Sequence, residues 1–343
     1  MDYRISIVIA ILLAISPVIH SIDFEDYDED VAALLREYQN QSNPDQSYTP
    51  SILSYSTAKT SKTIVDFERG IIYMNASTPE TLRDAIIDVV LTQIDPSVID
   101  AQTAIDFGLI NEETNKPFFW GQVLDHKGKP ISSRRPALDF ANFLLRKKTF
   151  SDGRFEVTIR MIDAHKKIAG AKYVSFVKAA CLEYSVSSSL VMAIMETESS
   201  FNPLARSRSN ALGLMQVKAN TAGRDYFSLI KGYKHTPSSK FLYSPKNNIE
   251  VAMGYLNILS SRYLRGIEDP KKLEYAMISS YNGGAGNLWK SLDKSGNKTK
   301  ALKRINQMST KQFYWFLTNR HIRQETREYL KKVNDRKSKY TLI

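Results

Sequence analysis

The sequence predicts an α+β N-terminal domain followed by a mainly α-helical domain, and three observations carry that prediction. Between residues 62 and 165, short alternating runs such as "RFEVTIRMI" lie beside one strong helical repeat; from Ala169 onward helical spacing continues without strand alternation. A chain of 343 residues with 43% hydrophobic content is also long and apolar enough for two cores.

In "TIVDFERGIIYMNA", Thr63 to Phe67 and Ile71 to Met74 flank a turn at Gly70 and read as a hairpin. "STPETLRDAIIDVVLTQI" then offers Ser77 or Thr78 as a helix cap, Pro79 in the first turn, and Leu82, Ile86, Val89 and Val90 at helical spacing. "FFWGQVLDHKGKPI" reads as two strands around a turn at Gly128. "RFEVTIRMI" sets Phe155, Val157, Ile159 and Met161 on one face of a half-buried strand. In the second domain, "AKYVSFVKAACLEYSV" aligns Val174, Val177, Ala180, Cys181 and Tyr184 on a core-facing stripe.

The first residues, "MDYRISIVIAILLAISPVIHSIDF", join Arg4 to an apolar run from Ile5 to Ile15, a break at Pro17 and a small residue at Ser21. This is the pattern of a signal peptide over 1–21, hence of export to the periplasm. The alternative is a retained anchor helix, but Ile5 to Ile19 falls short of the roughly 20 apolar residues that span a bilayer. Residues 22–61 are acidic and Asn/Gln/Ser-rich, and read as a flexible lead-in.

The single cysteine, Cys181, excludes an internal disulfide, and five scattered histidines give no ligand pairs, so neither metal nor cofactor is expected. Residues 151–343 hold 33 basic against 15 acidic side chains. A field of that sign favours an anionic polymer: nucleic acid, an acidic lipid surface, or a cell-wall glycan bearing peptide carboxylates. Export argues against nucleic acid, and the same charge would also serve as a solvated basic face.

Ser187 or Ser188 caps a helix through "SLVMAIMETES", which holds two glutamates. Val191, Ile194, Met195 and Glu198 fall at i, i+3, i+4 and i+7, so Glu198 shares the apolar face; Glu196, about 200° away, is expected outside and solvated. Burial and the negative end of the helix both raise the pKa of Glu198, as suits a general acid.

"ESSFNPLARSRSNALGLMQV" resembles the first two motifs of the lysozyme-like lytic transglycosylases, and "SSYNGGAGN" resembles their third. From about residue 62, including "PFFWGQVLDHKGKPI", the chain is similar to a two-domain member of that family. The resemblance implies a lysozyme-like catalytic domain over 166–343, preceded by the α+β domain over 62–165. It implies that Glu198 is the sole acid/base, with Tyr281 beside its carboxylate. Gly213 would let backbone approach a sugar, Met215 and Gln216 would line the groove, and Asn282 would shape the turn; Ser199 and Ser207 would hydrogen-bond Glu198 or substrate. Leu214 and Met215 also read as plain core. Gly283, Gly284 and Gly286 break a helix, since no P-loop lysine pattern follows them.

The implied substrate is the peptidoglycan glycan strand, with peripheral envelope association and no named protein partner. The two-domain relative is a lipoprotein with a cysteine directly after its signal; none precedes Cys181 here, which argues against a lipid anchor. Two other readings compete. A hydrolytic lysozyme would require a second carboxylate, for which the sequence offers Asp225 and Glu250, and a wall-binding module would need no acid at position 198.

Overall fold

The computed structural model describes residues 49–57, 60–92 and 116–341. The expected signal peptide and most of the acidic lead-in lie outside them. Five antiparallel strands form one sheet in the order β1-β2-β3-β5-β4: β1 Ile52–Thr57, β2 Ser61–Asp66, β3 Ile71–Ala76, β4 Thr149–Ser151 and β5 Arg154–Arg160. The expected hairpin is β2 and β3, with Val65 opposite Ile72, and Ile72 in turn opposite Ile159 on β5.

Order begins earlier than the sequence reading placed it, because β1 lies within the expected lead-in. Its run "ILSYST" alternates inward Leu53 and Tyr55 with serines, a pattern that serine-rich composition disguises. The segment "FFWGQVLDHKGKPI" forms only isolated bridges, Trp120 with Val123 and Leu124 with Pro130, around a turn whose Asp125 carboxylate accepts from the Lys127 and Lys129 amides.

Helix α1 (Pro79–Leu91) starts at Thr78, whose hydroxyl accepts from the Thr81 amide at 3.2 Å. Its buried Leu82, Ile86, Val89 and Val90 pack with α2 (Arg134–Leu145) on one sheet face, against Val65, Ile72, Met74 and Ile159. These apolar faces close the first core.

The second core is helical: α3 (His165–Ala171), α4 (Val174–Tyr184), α5 (Ser188–Ser199), α6 (Ser239–Tyr243), α7 (Pro245–Ile258), α8 (Pro270–Gly283), α9 (Ala285–Leu292), α10 (Lys298–Gln307), α11 (Thr310–Arg320) and α12 (Gln324–Lys337). One small ladder, β6 (Ala211–Leu212) with β7 (Val217–Lys218), interrupts the expected run of helices. Helix α5 lies inside this core, with Val191, Ile194 and Met195 fully buried, and packs against α12. Lys272 on α8, itself buried, donates to the carbonyls of Ile305, Asn306 and Met308 at the end of α10.

Candidate active site

Helix α5 ends in an uncommon way. Ser200 (φ 52°) and Phe201 (φ 66°) are both left-handed although neither is glycine. Phe201 is fully buried beside Gly170, where an added Cβ would stand 2.9 Å from the Phe201 ring. Two strained residues are thus fixed by packing at the point where the helix presents Glu198.

Glu198 is half-buried on the wall of a cavity of about 440 Å3. Burial raises its pKa to about 7; a hydrogen bond from Tyr329 opposes the rise, the Glu325 charge adds to it, and Lys218 opposes it. The Tyr329 hydroxyl on α12 donates to Glu198 Oε1 at 2.7 Å. Burial holds both Tyr329 and Tyr281 well above the usual phenol range, so both stay neutral donors. Tyr281 lies close enough for the Glu198 charge to act on it, but its hydroxyl donates to the Met215 carbonyl at 2.7 Å.

The other sequence candidates divide between the cavity and its frame. Asn282 lines the cavity. Ser199 is buried and donates to the carbonyls of Met195 and Leu214. Ser207 accepts from the Ala211 amide at 3.0 Å and so closes the loop before β6. Gly213 (φ 72°) lies where a Cβ would be 2.5 Å from Asn248 Nδ2. Met215 is fully buried and donates its amide to Asn248 Oδ1, while Gln216 Nε2 donates to the carbonyls of Ala205 and Gly213. The "GLMQ" turn is held by Asn248 and joined to α5 through Ser199 and to α8 through Tyr281.

The two glutamates differ in a way the sequence reading did not anticipate. Glu196, expected to be solvated, is 1% exposed. It accepts from Lys339 Nζ at 2.9 Å and from the Tyr340 hydroxyl at 2.7 Å, with Arg336 Nε at 3.5 Å and Lys166 Nζ at 3.9 Å. The expectation of a solvated Glu196 is overturned because the chain's C-terminal segment returns to cover it with Arg336, Lys339 and Tyr340.

The α+β domain, for which the sequence suggested no site role, contributes Pro50, Ser51 and Glu68 to the cavity wall. Asn202 Nδ2 donates to the Pro50 carbonyl at 2.8 Å. Glu68, in the β2–β3 turn, accepts from Lys166 at 2.6 Å, from Arg336 at 2.9 Å and from the Ser200 hydroxyl; these partners hold its carboxyl below the usual range despite burial. Sequence reasoning also missed Tyr329. The available signal was its place on the core stripe of α12 with Thr326, Leu330 and Val333, since a buried phenol requires a partner.

Neither carboxylate proposed as a second acid shares this site. Glu250 accepts from Tyr226 at 2.5 Å and pairs with Lys231 at 3.0 Å, and Asp225 accepts from Tyr263 at 2.9 Å. Glu325 and Glu328 do line the cavity. Among the described residues, no group of three His, Cys, Asp or Glu side chains could hold a metal ion.

Comparison with known proteins follows the same division of the chain. Residues 175–303 match the transglycosylase SLT domain, and residues 31–172 match the membrane-bound lytic murein transglycosylase C N-terminal domain. Membrane-bound lytic murein transglycosylase C of Edwardsiella ictaluri is 40% identical over 301 residues, covering 85% of this chain and 82% of that protein. The Salmonella typhimurium protein of the same name is 40% identical over 297 residues, covering 84% and 81%. The 70 kDa soluble lytic transglycosylase of Escherichia coli superposes with a TM-score of 0.37 at 24% identity, over 48% of this chain and 23% of that one. With that identity sustained across both domains, the chain belongs to the membrane-bound lytic murein transglycosylase C family.

Proposed function

We propose that this peptidoglycan lytic transglycosylase, a lyase, cleaves the β-1,4 bond between N-acetylmuramic acid and N-acetylglucosamine without water, using Glu198 as its single acid and base. The observation that carries the reading is one carboxylate with a pKa of about 7, in a cavity, held by a neutral phenol. Protonated Glu198 gives its proton to the glycosidic oxygen as the bond to C1 breaks. The muramoyl 2-acetamido group stabilises the cation developing at C1. Ionised Glu198 then takes the proton from the C6 hydroxyl of the same sugar, whose oxygen bonds to C1 and closes a 1,6-anhydro ring. Attacking and leaving groups belong to one bound sugar, so proximity favours the step.

A two-carboxylate glycosidase needs a second acidic group free to act as nucleophile or base. Asp225 and Glu250 are committed elsewhere; of the other carboxylates on the cavity wall, Glu325 accepts from Asn282 Nδ2 at 3.1 Å and Arg323 at 3.1 Å, Glu328 accepts from Gln324 Nε2 at 3.1 Å, and Glu68 is paired with Lys166 and Arg336. The relatives are described as membrane-bound, and the substrate lies in the envelope; both support a periplasmic enzyme with peripheral envelope association. Mass spectrometry of digested murein tests the reading. Anhydro-muropeptides support it, new reducing ends indicate hydrolysis, and intact glycan that retains the protein indicates a binding module.

Tyr329→Phe is expected to lower kcat about tenfold, the scale of one hydrogen bond to an ionisable group. It also shifts the pH profile. The phenol stabilises the carboxylate and so lowers the Glu198 pKa; without it that pKa rises. Activity that needs protonated Glu198 then persists to higher pH, which a pH–rate profile reads directly.

A further inference from the structure

The last turn of α8 and the first turn of α12 meet at one side chain. Thr326 Oγ1 donates to Asn282 Oδ1 at 2.7 Å, and Asn282 Nδ2 donates to Glu325 Oε1 at 3.1 Å. An ionised carboxylate only accepts, so Glu325 fixes which end of the amide faces it, and Thr326 completes the pair. Close approach of the helices depends on Gly283, where an added Cβ would lie 2.7 Å from Thr326 Oγ1 and 3.3 Å from His321 Cε1. The joined turns carry the two tyrosines beside the acid: Tyr281 precedes Asn282, and Tyr329 lies one turn beyond Thr326.

We infer that Thr326 and Glu325 are positioning residues which, by clamping Asn282 at both ends of its amide, hold Tyr329 on Glu198 and set the spacing of Tyr329 and Tyr281 around the carboxylate. Thr326 is fully buried and does not line the cavity, so it has no route to the substrate of its own. Asn282 lines the cavity, but its amide is already committed at both ends. The role is therefore transmitted through the two helix ends. The proposal rests on the reading of Glu198 as the acid.

The test substitutes Thr326→Val, which keeps shape and removes the donor, in the full chain, with murein as substrate. The expected result is a fall in kcat of about tenfold with KM within about twofold, since orientation is lost and binding is not. A loosened Tyr329 stabilises the carboxylate less, so the alkaline limb moves up. The other charged groups facing that carboxylate, Glu325 and Lys218, together with Glu68, Glu328, Lys332 and Arg336 on the cavity wall, are untouched by this change. Thr326→Ser restores the donor and is expected to recover kcat. Should Thr326→Val fail to fold, Asn282→Asp at the cavity wall opposes Glu325 with a like charge and is expected to give the same fall in kcat. Wild-type kcat and pH profile in folded Thr326→Val, or a loss in Asn282→Asp confined to KM, overturns the clamp. Retained anhydro-product formation in Glu198→Gln instead overturns the acid, so the two failures are distinguishable.

Discussion

Glu198→Gln is expected to cut anhydro-muropeptide formation by about a thousandfold, because one group serves both proton transfers and positioned acid–base catalysis supplies about 10²- to 10⁴-fold. The replacement keeps an oxygen acceptor for Tyr329 and nearly the same volume, so the loss isolates the proton. The same variant is expected to be more stable than the parent at pH 8. Burial raises the Glu198 pKa from 4.5 to about 7, so between those values the folded protein holds a proton that the unfolded chain has released. Stability therefore falls as pH rises through that window and stays lower above it. The penalty removed is about 1 to 3 kcal/mol, the upper figure being the full shift and the lower allowing for a carboxylate that faces cleft water. Melting at pH 4 and pH 8 checks it: the gain appears at pH 8 and vanishes at pH 4, where both side chains are neutral. An equal gain at both values would deny that Glu198 is a strained carboxylate, and retained product would deny that it is the acid.

The order of an α+β domain and a helical domain was legible because both hydrophobic periods, two and 3.6 residues, are local properties of the chain. Of the stripe of Val191, Ile194, Met195 and Glu198, α5 buries the three apolar members, but it buries Leu190, Met192, Ala193 and Glu196 as well and leaves Glu198 half-buried, so the helix is enclosed all round rather than on one stripe. What covers the opposite face of α5 is not local. Glu196 meets Lys339 and Tyr340 from more than 140 positions later, and no window of sequence contains both. Tyr329 reaches Glu198 across 131 positions, and Glu68 reaches Arg336 across 268. Strand β1 was missed for a different reason: two inward side chains, Leu53 and Tyr55, among serines are too weak a signal for a strand that the sheet itself stabilises by pairing. The basic C-terminal run, which composition allowed as a solvated face, supplies cations that neutralise Glu68 and Glu196 at the domain junction.

Glu196→Ala is expected to destabilise the fold by about 2 to 4 kcal/mol while leaving kcat of the folded enzyme within about twofold, the reverse of the Glu198 phenotype. The substitution removes the anion around which Lys339, Arg336, Lys166 and Tyr340 are gathered. Tyr340 is buried, and its hydroxyl then lacks this acceptor. Arg336 and Lys166 remain only partly exposed and share a single carboxylate, Glu68. Lys339 is 56% exposed and returns to water at small cost, which lowers the expected range from the about 3 to 5 kcal/mol of a charge left wholly unpaired. Two features protect the chemistry. The Arg336 Nη1 bond to the Glu196 backbone carbonyl, at 3.0 Å, survives the side-chain change, and Tyr329 still donates to Glu198 from the core stripe of α12. Urea unfolding reads the stability and murein digestion the rate; loss of rate without loss of stability would exchange the roles of the two glutamates. Because Glu196 fastens the C-terminal segment that also holds Glu68, its loss weakens the attachment of the β2–β3 turn to the cavity wall. Each carboxylate is the remaining partner of Arg336 and Lys166 when the other is lost, so removing both leaves two partly buried cations without a carboxylate, and a double-mutant cycle with Glu68→Ala should exceed additivity.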